Sequence, residues 1–291
     1  MLGWQLFLNG LLAAGIYALV AVGFGLIYRT THFFNFAHGA VYTLGAYLIC
    51  VLNQRFGIST PFSILIATVI AAAVGVALWL FVYSPLRQAG ASDLILLVAS
   101  VGIFTVFQNS ISAVFGDASI SLGFGAYWGV VEILGARVTS LQILIAATAF
   151  FLCLAVTVLL WRTRLGNAIL AVGADTHLAE LSGIDSNRVT VQVFALGSAM
   201  AALGGILIGM DTDITPLMGY GAMLNAIVAI IVGGARNPIG WLVGAVVLGI
   251  AQHVGVWRIE SHWQDAIAFG LLLLFMIFRP NGLIPSPEIR E

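Results

Sequence analysis

Asn35, His38 and Gly39, inside the run Phe33-Phe34-Asn35-Phe36-Ala37-His38-Gly39-Ala40, are the residues best placed to meet a solute in this chain. Polar side chains near the start of an apolar run are costly unless they are paired or face water. A glycine beside them permits a helix to break, which exposes amides and carbonyls to a ligand cavity. His38 is read in the first instance as a neutral imidazole hydrogen-bonded between helices. A proton relay through it lacks a partner, because none of the long charge-free runs contains a carboxylate. A carrier coupled to protons or sodium usually places acids at the midplane, so ion coupling is disfavoured.

Other chemistries are excluded by residue type. All eleven basic residues are Arg and none is Lys, so a Walker A phosphate loop, which needs Lys on the β/γ-phosphates, is absent. There is no His-Glu-x-x-His zinc motif and no Gly-x-Ser-x-Gly elbow. Cys50 and Cys153 offer neither disulfide nor metal spacing. No catalytic residue, metal or cofactor is expected on this chain, and any ATP that drives it must be hydrolysed by another polypeptide.

The elements that must position these residues are membrane spans. Hydrophobic residues make up 61% of 291 positions and charged residues 8%. Mean hydropathy is +1.07, far from a soluble domain. Charge-free runs at Trp4–Tyr28, Thr30–Gln54, Phe56–Leu86, Leu94–Gly116, Val138–Trp161, Val189–Met210 and Asn237–Trp257 reach or exceed the ~20 residues that cross a bilayer. Ala222–Ala235 and Ala266–Phe278 are weaker candidates. The fold class is therefore all-α: a polytopic transmembrane helical bundle of 8–9 spans. No linker could hold a soluble domain, so residues 1–291 read as a single membrane domain. The N-terminus lacks a basic n-region and reads as an uncleaved first span.

Between two of these runs lies a charged island, Arg162 to Arg188. Asp175 is a good N-cap, Thr176–Ser182 gives about two helical turns, and Gly183 is the residue expected just past a helix end. Leu178, Leu181 and Ile184 then form an apolar ridge on an otherwise polar helix. A groove on a cytoplasmic partner would bury that ridge. A helix lying flat on its own bundle or on the lipid surface would bury it too. With this loop inside and the spans alternating, Arg29, Arg87, Arg236, Arg279 and Arg290 also fall inside. Arg55, Arg137 and Arg258 fall outside, which satisfies the positive-inside rule. Nine crossings with the C-terminus cytoplasmic follow, unless one hairpin is re-entrant.

Outside, the segment Asp117–Arg137, with Tyr127, Trp128 and Glu132, suits a helix or loop at the interface. Asp211 and Asp213 could receive a basic docking protein or simply be solvated. Gly233-Gly234-Ala235-Arg236-Asn237-Pro238 makes a tight hairpin. Gly205–Gly209 and Gly240–Gly244 are small-x-x-x-small pairs suited to close helix packing.

Three of these stretches resemble one family. Asn35-Phe36-Ala37-His38-Gly39 with Leu44-Gly45-Ala46-Tyr47, Arg162-Thr-Arg164-Leu-Gly166-Asn-Ala168 through Gly183-Ile184, and Gly233-Gly234 through Gly244-Ala245 are similar to the inner-membrane permeases of branched-chain amino-acid ABC importers. The likeness is strongest to the first permease of the leucine-isoleucine-valine system. It implies a permease that pairs with a homologous second permease, as a homo- or heterodimer, with two ATPase subunits binding ATP and Mg, and with a periplasmic or lipid-anchored substrate-binding protein, in membrane lipid and without nucleic acid. It implies that Asp175, His177, Leu178, Ala179, Glu180, Leu181, Gly183 and Ile184 form the cytoplasmic coupling helix that enters the ATPase groove. It further implies that Asn35, Phe36, His38 and Gly39 line the solute path, and that Asp211 and Asp213 face the binding protein. One departure is that family members often carry Glu-Ala-Ala where this chain has His177-Leu178-Ala179, so the acidic contact has moved to Glu180 or been lost. The family also carries urea and short amides, and a stand-alone channel for a small neutral solute is the alternative outside it.

Overall fold

The computed structural model describes residues 2–123, 129–257, 260 and 263–284. Tyr127, Trp128, Arg258 and Arg290 lie outside the described residues. Twelve α-helices and one β-hairpin are present among those described. Six helical stretches are long and apolar enough to cross a membrane: Leu2–Thr31, Thr60–Gln88, Asp93–Phe115, Ser140–Arg162, Ser186–Asp211 and Pro238–Gly255. Met218–Gly233 and Gln264–Phe278 are shorter apolar helices. The chain is thus a multi-pass helical membrane protein.

The chain gathers into two compact units, one from Met1–Gly25, Phe124–Leu154 and Leu224–Glu291, the other from Leu26–Gly123 and Ala155–Met223. The second holds α2 (Ala37–Cys50), α3 (Thr60–Leu78), α4 (Ser84–Gln88), α5 (Asp93–Phe115), α7 (Arg164–Val172), α8 (Thr176–Leu181) and α9 (Ser186–Asp211). It also holds the last turns of α1 (Leu2–Thr31), the last two turns of α6 (Ser140–Arg162) and the start of α10 (Met218–Gly233).

Helix α9 is the centre of this unit, and small residues let α2 and α3 reach it. A Cβ on Gly45 would lie 2.7 Å from the Ala202 backbone, one on Gly205 would collide with the Tyr42 carbonyl, and one on Gly75 would collide with Ser198. Lipid tails are as apolar as leucine, so helices in a membrane associate by close van der Waals contact and interhelical hydrogen bonds. Gly205–Gly209 is therefore an intramolecular packing seam. Gly209 abuts Ile214 and Ala46, and Ile214 forms an isolated antiparallel bridge with Ile120.

Two π-helical turns interrupt the regular helices, Val51–Arg55 after α2 and Trp79–Tyr83 between α3 and α4. The second widens the helix where it carries two buried aromatics. The run Thr30–Gln54 is not one helix: α1 ends at Thr31, and residues 32–36 are irregular before α2 starts. His32 sits at φ 60°, the left-handed conformation that closes helices. The helix break thus precedes Gly39, which lies within α2.

In the first unit, α10 and α11 (Pro238–Gly255) cross through Gly233, Gly240 and Gly244, each backed by the other helix's main chain. Asn237 caps α11 by accepting from the Ile239 amide at 3.0 Å, with Pro238 in its first turn. Gly10 meets Gly249, and Gly25 lies against the Trp241 indole. Helix α12 (Gln264–Phe278) follows α11, and Gln252 links the two by donating to the Gln264 carbonyl at 3.3 Å.

The segment 130–139 is neither helix nor loop. It forms strands β1 (Val130–Ile133) and β2 (Ala136–Thr139), paired antiparallel with Glu132 opposite Arg137. Leu134 and Gly135 turn it with φ 51° and 84°, the two positive values a twist-matched two-residue hairpin needs. Gln5 tethers the hairpin, donating to the Arg137 carbonyl at 2.8 Å and accepting from its amide at 2.7 Å.

Gly205→Ala drives a methyl group onto the Tyr42 carbonyl and should cost about 1–3 kcal/mol as overpacking. Gly102→Ala, at a position with open space around it, should not. Thermal unfolding of the two variants in detergent compares them directly.

Candidate functional site

Two regions of the second unit carry the polar chemistry. The first is the irregular segment 32–36. It interrupts apolar sequence, so its main-chain groups need protein partners. Arg87 donates from Nη2 to the Thr31 carbonyl at 3.0 Å, covering the end of α1. The Ser100 hydroxyl, fully buried on α5, accepts from the Phe36 amide at 2.9 Å and lies 3.3 Å from the Phe34 carbonyl. Tyr83, on the π-helical turn, donates to Asn35 Oδ1 at 2.9 Å. Its ring stacks obliquely on Phe33 and Phe194, with centroids 5.1 and 5.7 Å away. One turn earlier, Trp79 donates to Asn187 Oδ1 on α9 at 2.9 Å.

Asn35 and His38 are buried, Phe36 is half-buried, and Gly39 is enclosed. Gly39 permits a close crossing rather than a break. Each of Gly39 and Gly219 has the other's carbonyl where a Cβ would stand. Thr43 fastens the crossing, donating to the Gly39 carbonyl at 3.2 Å and accepting from the Gly219 amide at 3.1 Å. The start of α2 is therefore a rigid, polar-lined corner held by Ser100, Tyr83, Thr43 and Gly219. None of these four carries a motif; each sits in its own helix as an ordinary small or aromatic residue, and only the fold brings them together.

The second region is the charged island. Helix α6 turns sharply into α7 at Thr163, whose hydroxyl donates to the Leu159 carbonyl at 2.7 Å and accepts from the Gly166 amide at 3.1 Å. Gly166 lies directly on the carbonyls of Leu159 and Leu160, where a side chain would not fit. Helix α7, in a charged stretch whose sequence suggests a loop, runs to Gly173, which is covered by Arg29 at the end of α1. Helix α8 follows, with Asp175 accepting from the Leu178 amide at 3.0 Å and Gly183 at φ 83° just past its end. The cap, the two turns and the glycine stop are as expected from sequence.

The faces of α8 are distinct. Ala179 is buried at 4%, whereas Leu178 is 60% and Leu181 73% exposed, with Ile184 half-buried. Asp175, His177, Glu180 and Gly183 are exposed. Asp185 then caps α9, accepting from the Arg188 amide at 2.9 Å. At the far end of α9, Asp211 is half-buried and Asp213 exposed, close to the Ile120–Ile214 bridge. Among the described residues no group of three His, Cys, Asp or Glu side chains could hold a metal.

These features define a polytopic helical membrane protein with a braced helix break and a short amphipathic helix between two long ones. The chain belongs to the family described as branched-chain amino acid transport system, permease component, whose model matches residues 6–276. It is 32% identical to the high-affinity branched-chain amino acid transport system permease protein LivH of Escherichia coli K12, over 99% of this chain and 97% of LivH. It is 31% identical to the corresponding permease protein BraD of Pseudomonas aeruginosa, with the same coverage of both chains. The ribose import permease protein RbsC of Escherichia coli K12 is a more distant relative, 26% identical over 92% of this chain and 84% of RbsC. No solved structure matches.

Two substitutions probe the regions separately. Tyr83→Phe leaves Asn35 Oδ1 without its donor and should lower stability by about 1–3 kcal/mol, read as a fall in the unfolding midpoint. Asp175→Ala should cost about 1 kcal/mol locally, seen as faster amide exchange across residues 176–182 with the midpoint nearly unchanged.

Proposed function

We propose that this chain is the permease subunit of an ATP-driven importer of the bacterial inner membrane, carrying a small zwitterion, most simply a branched-chain amino acid. The cargo class follows the branched-chain amino acid transport for which LivH and BraD are named and suits a path of backbone dipoles and apolar walls. The observation that carries the reading is α8, a capped helix too short to cross a membrane, with Leu178 and Leu181 exposed and Ala179 anchored beneath. A free apolar ridge on a rigid helix is what a groove in another protein takes. The ridge faces the cytoplasm together with residues 162–188 and the C-terminus, and the groove belongs to one of two ATPase subunits that bind ATP and Mg. This chain hydrolyses nothing itself.

The connections around α8 support a mechanical role. Below it, α7 abuts Arg29 of α1, and beyond it Asp185 opens α9, the helix on which α2 and α3 pack. A displacement of α8 therefore reaches the centre of the unit through rigid elements, which is how a bundle rocks between outward and inward states. The corner at Asn35, Phe36, His38 and Gly39 forms part of the solute path. A homologous second permease completes the pathway, and a substrate-binding protein delivers cargo near Asp211 and Asp213.

Leu181→Arg places a charge on the ridge without touching the core. ATPase subunits should no longer co-purify, and uptake should fall to background, while the permease keeps its unfolding midpoint. Undiminished uptake by membranes lacking any ATPase would instead establish a stand-alone channel.

A further inference from the structure

Behind the ridge of α8 lies a cavity of about 330 Å³ whose lining includes Thr30, Arg87, Thr176, Glu180, Ser186 and Asn187. Helix α8 is thus two-sided. Its leucines face outward, while Thr176 and Glu180, one turn apart, face this space. Its volume is at the small end for ligand pockets, which run from about 300 to 1,000 Å³.

Three properties of the lining go together. Arg87 and Glu180 bring opposite charges to one cavity, and no ion pair joins them. The Ser186 hydroxyl is buried, on a residue 7% exposed, and finds no hydrogen-bond partner among the described residues. A buried polar atom left unpaired costs free energy that a ligand can recover. The remaining lining presents a mainly apolar surface, with Trp79 and Val172 as walls and the amides of Gln88 and Asn187 among it.

We propose that this cavity binds a small zwitterion, a free α-amino acid with an apolar side chain. The Arg87 guanidinium would take its carboxylate, Glu180 its ammonium, Ser186 would complete the carboxylate's hydrogen bonding, and the side chain would lie against Trp79. The pocket touches α4, α7, α8 and the first turn of α9, so an occupant ties the two-turn helix to the bundle. The binding rests on the pocket alone. Its consequence rests on the importer reading: cargo accumulating in the cytoplasm holds α8 in one position, favours that state, and slows further uptake.

The test is equilibrium binding of radiolabelled leucine to the detergent-solubilised permease–ATPase complex, without substrate-binding protein. Saturable binding is expected, at least tenfold weaker for leucinamide, which lacks the carboxylate, and for isocaproate, which lacks the amine. Arg87→Gln should weaken leucine binding at least tenfold and Ser186→Ala three- to tenfold. Because Arg87 also holds the Thr31 carbonyl, Ser186→Ala and Glu180→Gln serve as the variants whose unfolding midpoint should stay unchanged. No saturable leucine binding by the wild type, equal affinity for both analogues, or unaltered binding by all three variants would overturn the proposal. In proteoliposomes with all partners, leucine preloaded on the ATPase side should slow wild-type uptake and not that of Ser186→Ala. Uptake that ignores preloaded leucine defeats the regulatory site and leaves the importer standing, whereas no leucine uptake at all defeats the importer reading itself.

Discussion

Backbone-to-backbone contact around α9 is the constraint on which the second unit depends. Helices in lipid gain nothing from hiding leucine from water, so specificity comes from how near the main chains can lie. Gly45, Gly75 and Gly205 set that distance for α2 and α3. Once it is fixed, Asn35, Thr43 and Ser100 have determined partners. Tyr83 reaches Asn35 only because the π-helical turn of the α3 side lies against α9, and Thr43 reaches Gly219 only because α2 meets α10 without an intervening side chain. The polar corner is a by-product of close packing as much as a set of chosen residues.

The same logic explains why a broken helix survives in this chain. Irregular backbone at membrane depth is tolerated where protein satisfies it. Arg87, Ser100 and Tyr83 come from three different elements to do so. The break is therefore rigid, and any rearrangement during a transport cycle falls more naturally on the junctions at Thr163, Asp175 and Asp185, each closed by a single side chain.

Legibility in the sequence followed how local each signal was. Asp175, Thr176–Ser182 and Gly183 are neighbours, and their cap, turns and stop appear as read. Six of the seven long apolar runs likewise became spanning helices, since length and absence of charge suffice. Gly39 suggests a break that lies instead at 32–36, because His32 in a left-handed conformation has no sequence signature and glycine has two uses. Helix α7 has an ordinary N-cap in Thr163, which accepts from the Gly166 amide, but its nine residues lack the length that marks the spans. The hairpin has only a weak signal in the sequence, because Leu134-Gly135 departs from the usual Asn-Gly turn pair. The pocket could not have been read at all: Arg87, Glu180 and Ser186 are far apart in the chain and share only a location.

One further consequence concerns α10. At 16 residues it rises about 24 Å, less than the ~30 Å hydrocarbon layer. Its final carbonyls would thus face a medium that offers no donors. The amides of Leu283 and Ile284 supply them, donating to Val232 at 2.9 Å and Gly233 at 3.0 Å, beside Gly234 at φ 116°. The chain at Leu283 and Ile284 acts there in place of solvent, letting a helix stop short of the surface it was aimed at.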